Sequence, residues 1–349
     1  MVSSPFSELG FSGLVGQQQA VALLERAVSL NRIAPGYLFV GPQGTGKSLA
    51  AIGFVQLLLT RSADGGVKGG ADGGVKHGAD GEASQADVAI DLAIDPVLAR
   101  RIRDRNHPDL LWVEPTYQHN GNLLTASQAA EAGLKRKSPP RIRVPQIREI
   151  AQFLSRPALE SSQAVVVVEQ CDRMAESAAN ALLKTLEEPG NATLILMAPD
   201  QQAILPTLVS RCQSIPFRRL NGEQMAEVLT RHGHEEILQR VEVMAIAQGS
   251  PGRAIESWQQ LQALPSELLA QLSEPPKTLR SALEIARDIN QSLDTEAQLW
   301  LLDYMQHRYW QNGLVSVEVL ETLEKARRYL LAYVQPRLVW EVALSSMAA

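Results

Sequence analysis

The eight residues Gly41-Pro42-Gln43-Gly44-Thr45-Gly46-Lys47-Ser48 constrain this chain more than any others. They fit the pattern G-x-x-x-x-G-K-[ST], and they stand between a short apolar run, Tyr37–Val40, and a helical pattern, Lys47–Leu59. A phosphate-binding loop needs that context. Glycines let successive backbone N–H groups converge on phosphate oxygens, and the N-terminus of the following helix adds positive potential. Gly41, Gly44, Thr45 and Gly46 make the cradle, Lys47 can reach the β- and γ-phosphates, and the Ser48 hydroxyl can ligate Mg²⁺. The motif predicts a nucleotide site, with ATP and Mg²⁺ as its cofactors.

The surrounding pattern is that of a doubly wound α/β domain. Further strand-like runs occur at Leu110–Val113, Val165–Val168, Thr193–Met197 and Gln213–Phe217. Several are almost uniformly apolar, as strands covered on both faces of a parallel sheet must be. Helical spacing separates them. Ala20, Leu24, Ala27 and Val28 share one face, as do Ile147, Ile150, Ala151 and Leu154, and Ser177–Glu188 is closed by Pro189-Gly190. Beyond Asn221 the strand signals stop, and helical patterns occupy 223–231, 235–246, 251–261, 279–289, 297–309 and 315–334. The expected partition is a P-loop domain with a parallel sheet over 1–219, a small helical domain over 220–275 and an all-helical domain over 276–349. One segment fits none of these. Ala63-Asp64-Gly65-Gly66-Val67-Lys68 recurs at Ala71–Lys76 and begins again at Ala79-Asp80-Gly81. Such a Gly/Asp repeat has nothing to bury, so 63–82 is read as a flexible insertion.

Composition narrows the function classes. The net charge of −5 argues against a free-standing DNA binder held by bulk charge. A basic cluster, Lys135, Arg136, Lys137, Arg141 and Arg143, could approach DNA but is read as a solvated loop. The longest apolar run, Ala50–Leu59, is far short of the roughly 20 residues of a membrane span. Met1–Gly10 is polar and has no basic residue, so no signal peptide is expected and a cytoplasmic setting is. Cys171 and Cys212, both read as lying in sheet-forming segments, suit small buried residues rather than a zinc site.

A P-loop nucleotidase also needs an acidic pair at the end of a neighbouring strand. Here Val165–Val168 is followed by Glu169-Gln170-Cys171-Asp172, where Asp then Glu are expected. Glu169 can still meet a metal-bound water. Gln170 cannot accept a proton, and loss of a general base costs about 10²–10⁴ in rate. Asp172 lies too far along to replace it. ATP binding with slow or absent hydrolysis is the expectation.

Other motifs make the resemblance specific. Phe11-Ser12-Gly13-Leu14-Val15-Gly16-Gln17 is similar to the adenine-side entry segment of AAA+ clamp-loader proteins. Ala181-Leu182-Leu183-Lys184-Thr185-Leu186-Glu187-Glu188-Pro189 resembles the helix after their acidic strand, and Ser210-Arg211-Cys212 resembles their arginine-finger motif. Gly249-Ser250-Pro251-Gly252-Arg253 resembles their second sensor. His107-Pro108-Asp109 and Val144–Ile150 are similar to the bacterial branch, whose subunits belong to the DNA polymerase III holoenzyme. The resemblance implies an AAA+ domain, a helical lid and a helical collar that joins five subunits in an open ring. It implies gamma/tau and delta subunits as partners, with the sliding clamp and primed DNA met through the assembled complex and no polymerase site in this chain. It assigns Arg211 as an arginine finger acting in trans, Arg253 as a γ-phosphate sensor, and Ser48 with Glu169 to the Mg²⁺ carried by the nucleotide. The family's four-cysteine zinc module has no counterpart here, so no zinc is implied. Glu169-Gln170, and Met197-Ala198-Pro199-Asp200 where a polar first sensor would lie, resemble the non-motor subunit type. Two alternatives stand beside it: a gamma/tau-type motor ATPase and a non-catalytic ring scaffold.

Overall fold

The structure is a computed structural model that describes residues 10–60, 95–134, 139–311, 316–332 and 334–348. The Gly/Asp repeat and Lys135, Arg136 and Lys137 lie outside the described residues. In chain order the first elements are α1 (Gln18–Ser29), β1 (Gly36–Val40), α2 (Lys47–Leu59), α3 (Pro96–Arg103) and β2 (Leu110–Val113). Then come β3 (Tyr117–His119), β4 (Asn122–Leu124), α4 (Ala126–Glu131), α5 (Val144–Leu154) and β5 (Ala164–Val168). They are followed by α6 (Glu176–Glu187), β6 (Ala192–Ala198), α7 (Pro206–Val209) and β7 (Gln213–Pro216). Helices complete the chain: α8 (Gly222–Arg231), α9 (Val241–Ala247), α10 (Pro251–Ala263), α11 (Ser266–Gln271), α12 (Leu279–Ser292), α13 (Thr295–Gln311), α14 (Val317–Leu331) and α15 (Pro336–Met347). They divide into two units, Met1–Glu114 with Ile142–Arg218 and Pro115–Arg141 with Arg219–Ala349.

The first unit is built on a five-stranded sheet of order β2-β5-β6-β1-β7, parallel throughout. Every residue of β5 and β6 is buried, which is why these strands carry unbroken apolar runs instead of alternation. Successive side chains still point to opposite faces. Tyr37, Phe39, Val165, Val167, Ile195 and Met197 pack with α1 and α2 in one core, and Leu38, Val166, Val168, Leu194 and Leu196 pack with α5 and α6 in another. The α1 face is the expected one, Ala20, Leu24, Ala27 and Val28. In α5 the buried residues are Gln146, Ile147 and Ile150, while Ala151 is exposed. Gln146 takes a buried place because its amide is satisfied, donating to Glu114 O at 2.8 Å and accepting from Arg143 N at 3.0 Å.

The strand order positions the site. Because β6 pairs with both β1 and β5, the C-terminal ends of these three strands lie side by side. The phosphate loop leaves β1, Met197 and Ala198 end β6, and Glu169 follows β5. Crevices at such strand ends are where open α/β sheets bind ligands. The two cysteines lie just beyond strands: Cys171 opens the 3₁₀ turn Cys171–Arg173 after β5, and Cys212 directly precedes β7.

The second unit holds the β3–β4 antiparallel hairpin, α4 and α8 to α15. Apolar residues from Ile246 to Leu344 share one core around the fully buried Trp340, Tyr309 and Met305. Two expected helices are broken. Over 235–246 the chain forms a 3₁₀ turn, Glu235–Gln239, then α9, with Arg240 between them outside helical angles. The run expected to Val334 ends at Leu331, and α15 starts afresh at Pro336, whose fixed φ and missing N–H suit the first helical position. Among the described residues no helix is long and apolar enough to cross a membrane.

Candidate nucleotide-binding site

The loop between β1 and α2 needs glycine for steric reasons. Gly41 has φ 157°, and a Cβ there would stand 2.2 Å from the carbonyl oxygen of Phe217. That approach exists because Phe217 N donates to Val40 O and Gly41 N donates to Ala198 O, gripping the loop's first residue from both neighbouring strands. Gly46, the N-cap of α2, is left-handed at φ 101°, a conformation that L side chains rarely adopt. Inside the loop, Thr45 Oγ1 donates to Pro42 O at 2.8 Å. Gln17 anchors it from outside. Its amide nitrogen donates to Thr45 O at 3.1 Å and to Arg218 O at 2.7 Å, and its oxygen accepts from Arg218 N at 2.9 Å.

Lys47, the first residue of α2, folds its amine over the loop and donates to the carbonyls of Gly41 and Pro42 at 2.5 and 2.7 Å. Burial pulls its pKa down to about 8, against the pull of Asp172, Glu169 and Cys171 in the other direction. Asp172, in the 3₁₀ turn, has its carboxyl pushed up by burial. One of its oxygens, Oδ1, is buried without a hydrogen-bond partner.

Ser48 and Glu169 meet although 121 residues separate them. The Ser48 hydroxyl donates to Glu169 Oε1 at 3.0 Å and also lies 3.8 Å from Met197 Sδ. The same Glu169 oxygen accepts from Trp112 Nε1 at 3.1 Å and from a guanidinium nitrogen of Arg105 at 3.3 Å. Arg105 also pairs with Glu114 and lies over the Trp112 ring, 4.4 Å from its centroid. Gln170 follows in a left-handed conformation, φ 48°. Arg105 and Trp112 are contributors that sequence reasoning missed. In the sequence Trp112 reads only as part of a strand, and nothing in its spacing from Glu169 signals the contact.

His107-Pro108-Asp109 is a structural clamp in this unit. The Asp109 carboxylate is 2% exposed and accepts from the backbone N–H groups of Leu159, Glu160 and Ser161 at 2.6 to 2.8 Å. Burial alone would raise its pKa, but these amide bonds outweigh it and hold the carboxyl below its ordinary value. The clamp fixes the loop that feeds β5.

Arg211 lies in the turn two residues before β7, an edge strand. It donates to Glu187 Oε1 at 2.7 Å and to Thr207 O at 3.0 Å, joining the end of α6 to α7. Its side chain remains 38% exposed. Arg253 belongs to the second unit. There its guanidinium donates to Asp303 Oδ2 at 2.8 Å, and Arg327 pairs with the other oxygen of that carboxylate. The P-loop residues, Ser48 and Glu169 are thus together, while Arg211 lies away along the sheet edge and Arg253 is engaged within its own unit.

Comparison with known proteins divides the chain near residue 222. A family model described as "DNA polymerase III, delta subunit" matches residues 96–221, and one described as "Cyanobacterial DNA polymerase III delta prime, C-terminal domain" matches 223–347. DNA polymerase III subunit delta' of Bacillus subtilis (strain 168) is 30% identical over 217 residues, 61% of this chain and 51% of the relative. The Pseudomonas aeruginosa subunit delta' is 30% identical over 224 residues, 62% of this chain and 54% of the relative. DNA polymerase III subunit tau of B. subtilis is 23% identical over 231 residues, 66% of this chain and 32% of the relative. The chain spans about half the length of these delta' relatives. The two models adjoin with a single residue between them, and identity to delta' exceeds identity to tau; the chain resembles DNA polymerase III delta-prime subunits.

Proposed function

We propose that this chain is the delta-prime member of a bacterial clamp loader, the ATP-driven ring that places the sliding clamp on primed DNA. In this reading it binds ATP on Gly41–Ser48, hydrolyses it weakly or not at all, and offers Arg211 to the nucleotide of a neighbouring subunit. The observation that carries the reading is the junction after β5, where a formed phosphate loop faces Glu169-Gln170. Gln170 cannot act as a base, and Glu169 is engaged by Ser48, Trp112 and Arg105. Hydrolysis without a general base loses about 10²–10⁴ in rate. The cradle itself fits a nucleotide: converging N–H groups at the start of α2, left-handed glycines, and Lys47 resting on two carbonyls. Ser48 is the residue that would meet Mg²⁺ brought in on the nucleotide. Glu169 would have to release its donors to do so.

Arg211 is exposed in the turn before an edge strand, where an adjoining subunit's γ-phosphate could reach it, and an arginine supplied in trans contributes about 10³–10⁵ to phosphoryl transfer. The two terminal nitrogens that now donate to Glu187 Oε1 and Thr207 O are the ones that would grip phosphate. Arg253, for its part as a sensor, would exchange Asp303 for the γ-phosphate. The segments 220–275 and 276–349 are read as lid and collar, with gamma/tau and delta as ring partners in the cytoplasm. A gamma/tau-type motor is the second reading. Met197 in contact with Ser48, where a polar sensor would be needed, favours the non-motor role.

Equilibrium dialysis against labelled ATP, a turnover assay of the isolated chain and size-exclusion with gamma/tau and delta test the proposal together. Binding, slow turnover and co-elution are expected. Rapid turnover by the isolated chain would transfer the assignment to the motor type, and absence of ATP binding would leave a scaffold.

A further inference from the structure

The acidic end of β5 carries a cation of its own. Arg105 donates to Glu169 with one terminal nitrogen and pairs with Glu114 through the other. Its guanidinium carbon lies over the Trp112 ring, 4.4 Å from the centroid, and the Trp112 indole N–H is itself bonded to the same Glu169 oxygen. The arrangement is a planar fork bridging two carboxylates on an aromatic platform, which is what arginine does well and a hydrated metal ion does not. Backbone geometry supports it. Arg105 is one of the few non-glycine residues with positive φ among the described residues, 56°, in the chain reversal just past α3, where its N–H donates to Ile102 O. The side chain is aimed at the β2–β5 ends by a conformation that is not the easy one for arginine.

A Mg²⁺ ion at this place would need Glu169 to accept a metal-bound water, yet Oε1 already receives three donors. Mg²⁺ holds its water shell tightly and demands octahedral geometry, so it would compete poorly against a resident guanidinium. We propose that Arg105 takes the place of the divalent metal at Glu169, so that the P-loop of this chain holds nucleotide without depending on Mg²⁺. Arg105 is a positioning residue here: it touches Glu169 and Glu114, and acts on the nucleotide site through them. The metal-independence of nucleotide binding rests on the functional reading above; exclusion of the metal from Glu169 does not.

The test uses the full chain in two arms. In the first, Mn²⁺ alone is titrated without nucleotide and followed by electron paramagnetic resonance. Wild type should leave the ion free, Arg105→Gln should bind it at least about tenfold more tightly, and adding Glu169→Gln should abolish the gain, because the vacated carboxylates then accept a hard cation. In the second arm, the affinity of wild type for ATP is measured with Mg²⁺ and with EDTA, and should change by less than about threefold, under 1 kcal/mol. Near-ultraviolet circular dichroism checks that Arg105→Gln retains its tertiary packing. If it does not, wild type alone still decides the first arm, since Mn²⁺ bound at wild-type Glu169, displaced by Glu169→Gln, overturns the proposal. An Arg105→Gln chain that folds and gains no Mn²⁺ overturns it equally. ATP binding that collapses in EDTA removes the metal-independence, and no ATP binding under either condition removes the nucleotide reading while the Mn²⁺ arm still judges Arg105.

Discussion

Arg211 and Glu187 form a 2.7 Å ion pair between the turn before β7 and the last residue of α6. Both partners are substantially exposed, so the bond holds the guanidinium in place without contributing much to folding. Exposed pairs are worth about 0–1 kcal/mol. Glu187→Ala should therefore move the urea midpoint of the isolated chain by no more than that amount corresponds to, and equilibrium unfolding checks it.

Lys47 gives the site a pH signature. Its amine titrates near 8 in the fold against an ordinary value of 10.5, because burial disfavours the charge. The fold therefore favours the neutral amine. Below about pH 8 its burial as a cation is fully unfavourable, and that cost is relieved as pH rises from about 8 toward 10.5. Bound phosphates would favour the cation and draw the pKa back up. ATP binding near pH 8.5 should take up protons, and binding near pH 6.5 should take up none at Lys47. Calorimetry in buffers of different ionisation enthalpy measures this, and loss of the uptake in Lys47→Met assigns it.

Asp109 should be among the most sensitive positions of the first unit. Three backbone N–H groups of 159–161 depend on its carboxylate, and truncation leaves them without their acceptor. Asp109→Ala is expected to cost about 3 kcal/mol, since unsatisfied buried donors cost about 1–3 each and solvent recovers part. The pKa is depressed in the fold, so the contribution is complete above the ordinary value of 3.8 and is lost as pH falls through the folded value. Urea unfolding at neutral and acid pH should show wild type approaching the variant on acidification.

Trp340 and Gln298 play the corresponding part in the second unit. The buried indole N–H donates to Gln298 Oε1 at 2.9 Å while Gln298 Nε2 donates to Leu293 O at 3.0 Å. Trp340→Phe removes one donor and leaves a buried acceptor, for an expected loss of about 1–3 kcal/mol. Denaturant unfolding should register it as an earlier midpoint.

The fold was legible wherever burial was one-sided in composition. Val165–Val168 and Thr193–Met197 could only be strands covered on both faces, and Gly41–Ser48 announced the turn into α2. Breaks in the helical region were harder to see. Glu235–Ile246 has unbroken helical periodicity, and Pro336 marks a new helix only once the end at Leu331 is known. At the site, local motifs were readable and long-range partners were not. Lys47 and Ser48 were evident from one octapeptide, whereas the hold of Arg105 and Trp112 on Glu169 spans 64 and 57 residues and depends on β2 lying beside β5. No local pattern records which strand ends become neighbours.

In the proposed reading Arg211 is turned toward the nucleotide of a neighbouring subunit in the ring. The most direct measurement is the clamp-stimulated ATPase of a complex with gamma/tau and delta, comparing wild type with Arg211→Ala at matched assembly. An arginine finger contributes about 10³–10⁵ to its own site, so turnover at the site facing this chain should fall well beyond tenfold while the complex elutes unchanged. Unaltered turnover at that site in an intact complex would contradict the account and leave the chain an architectural member of the ring.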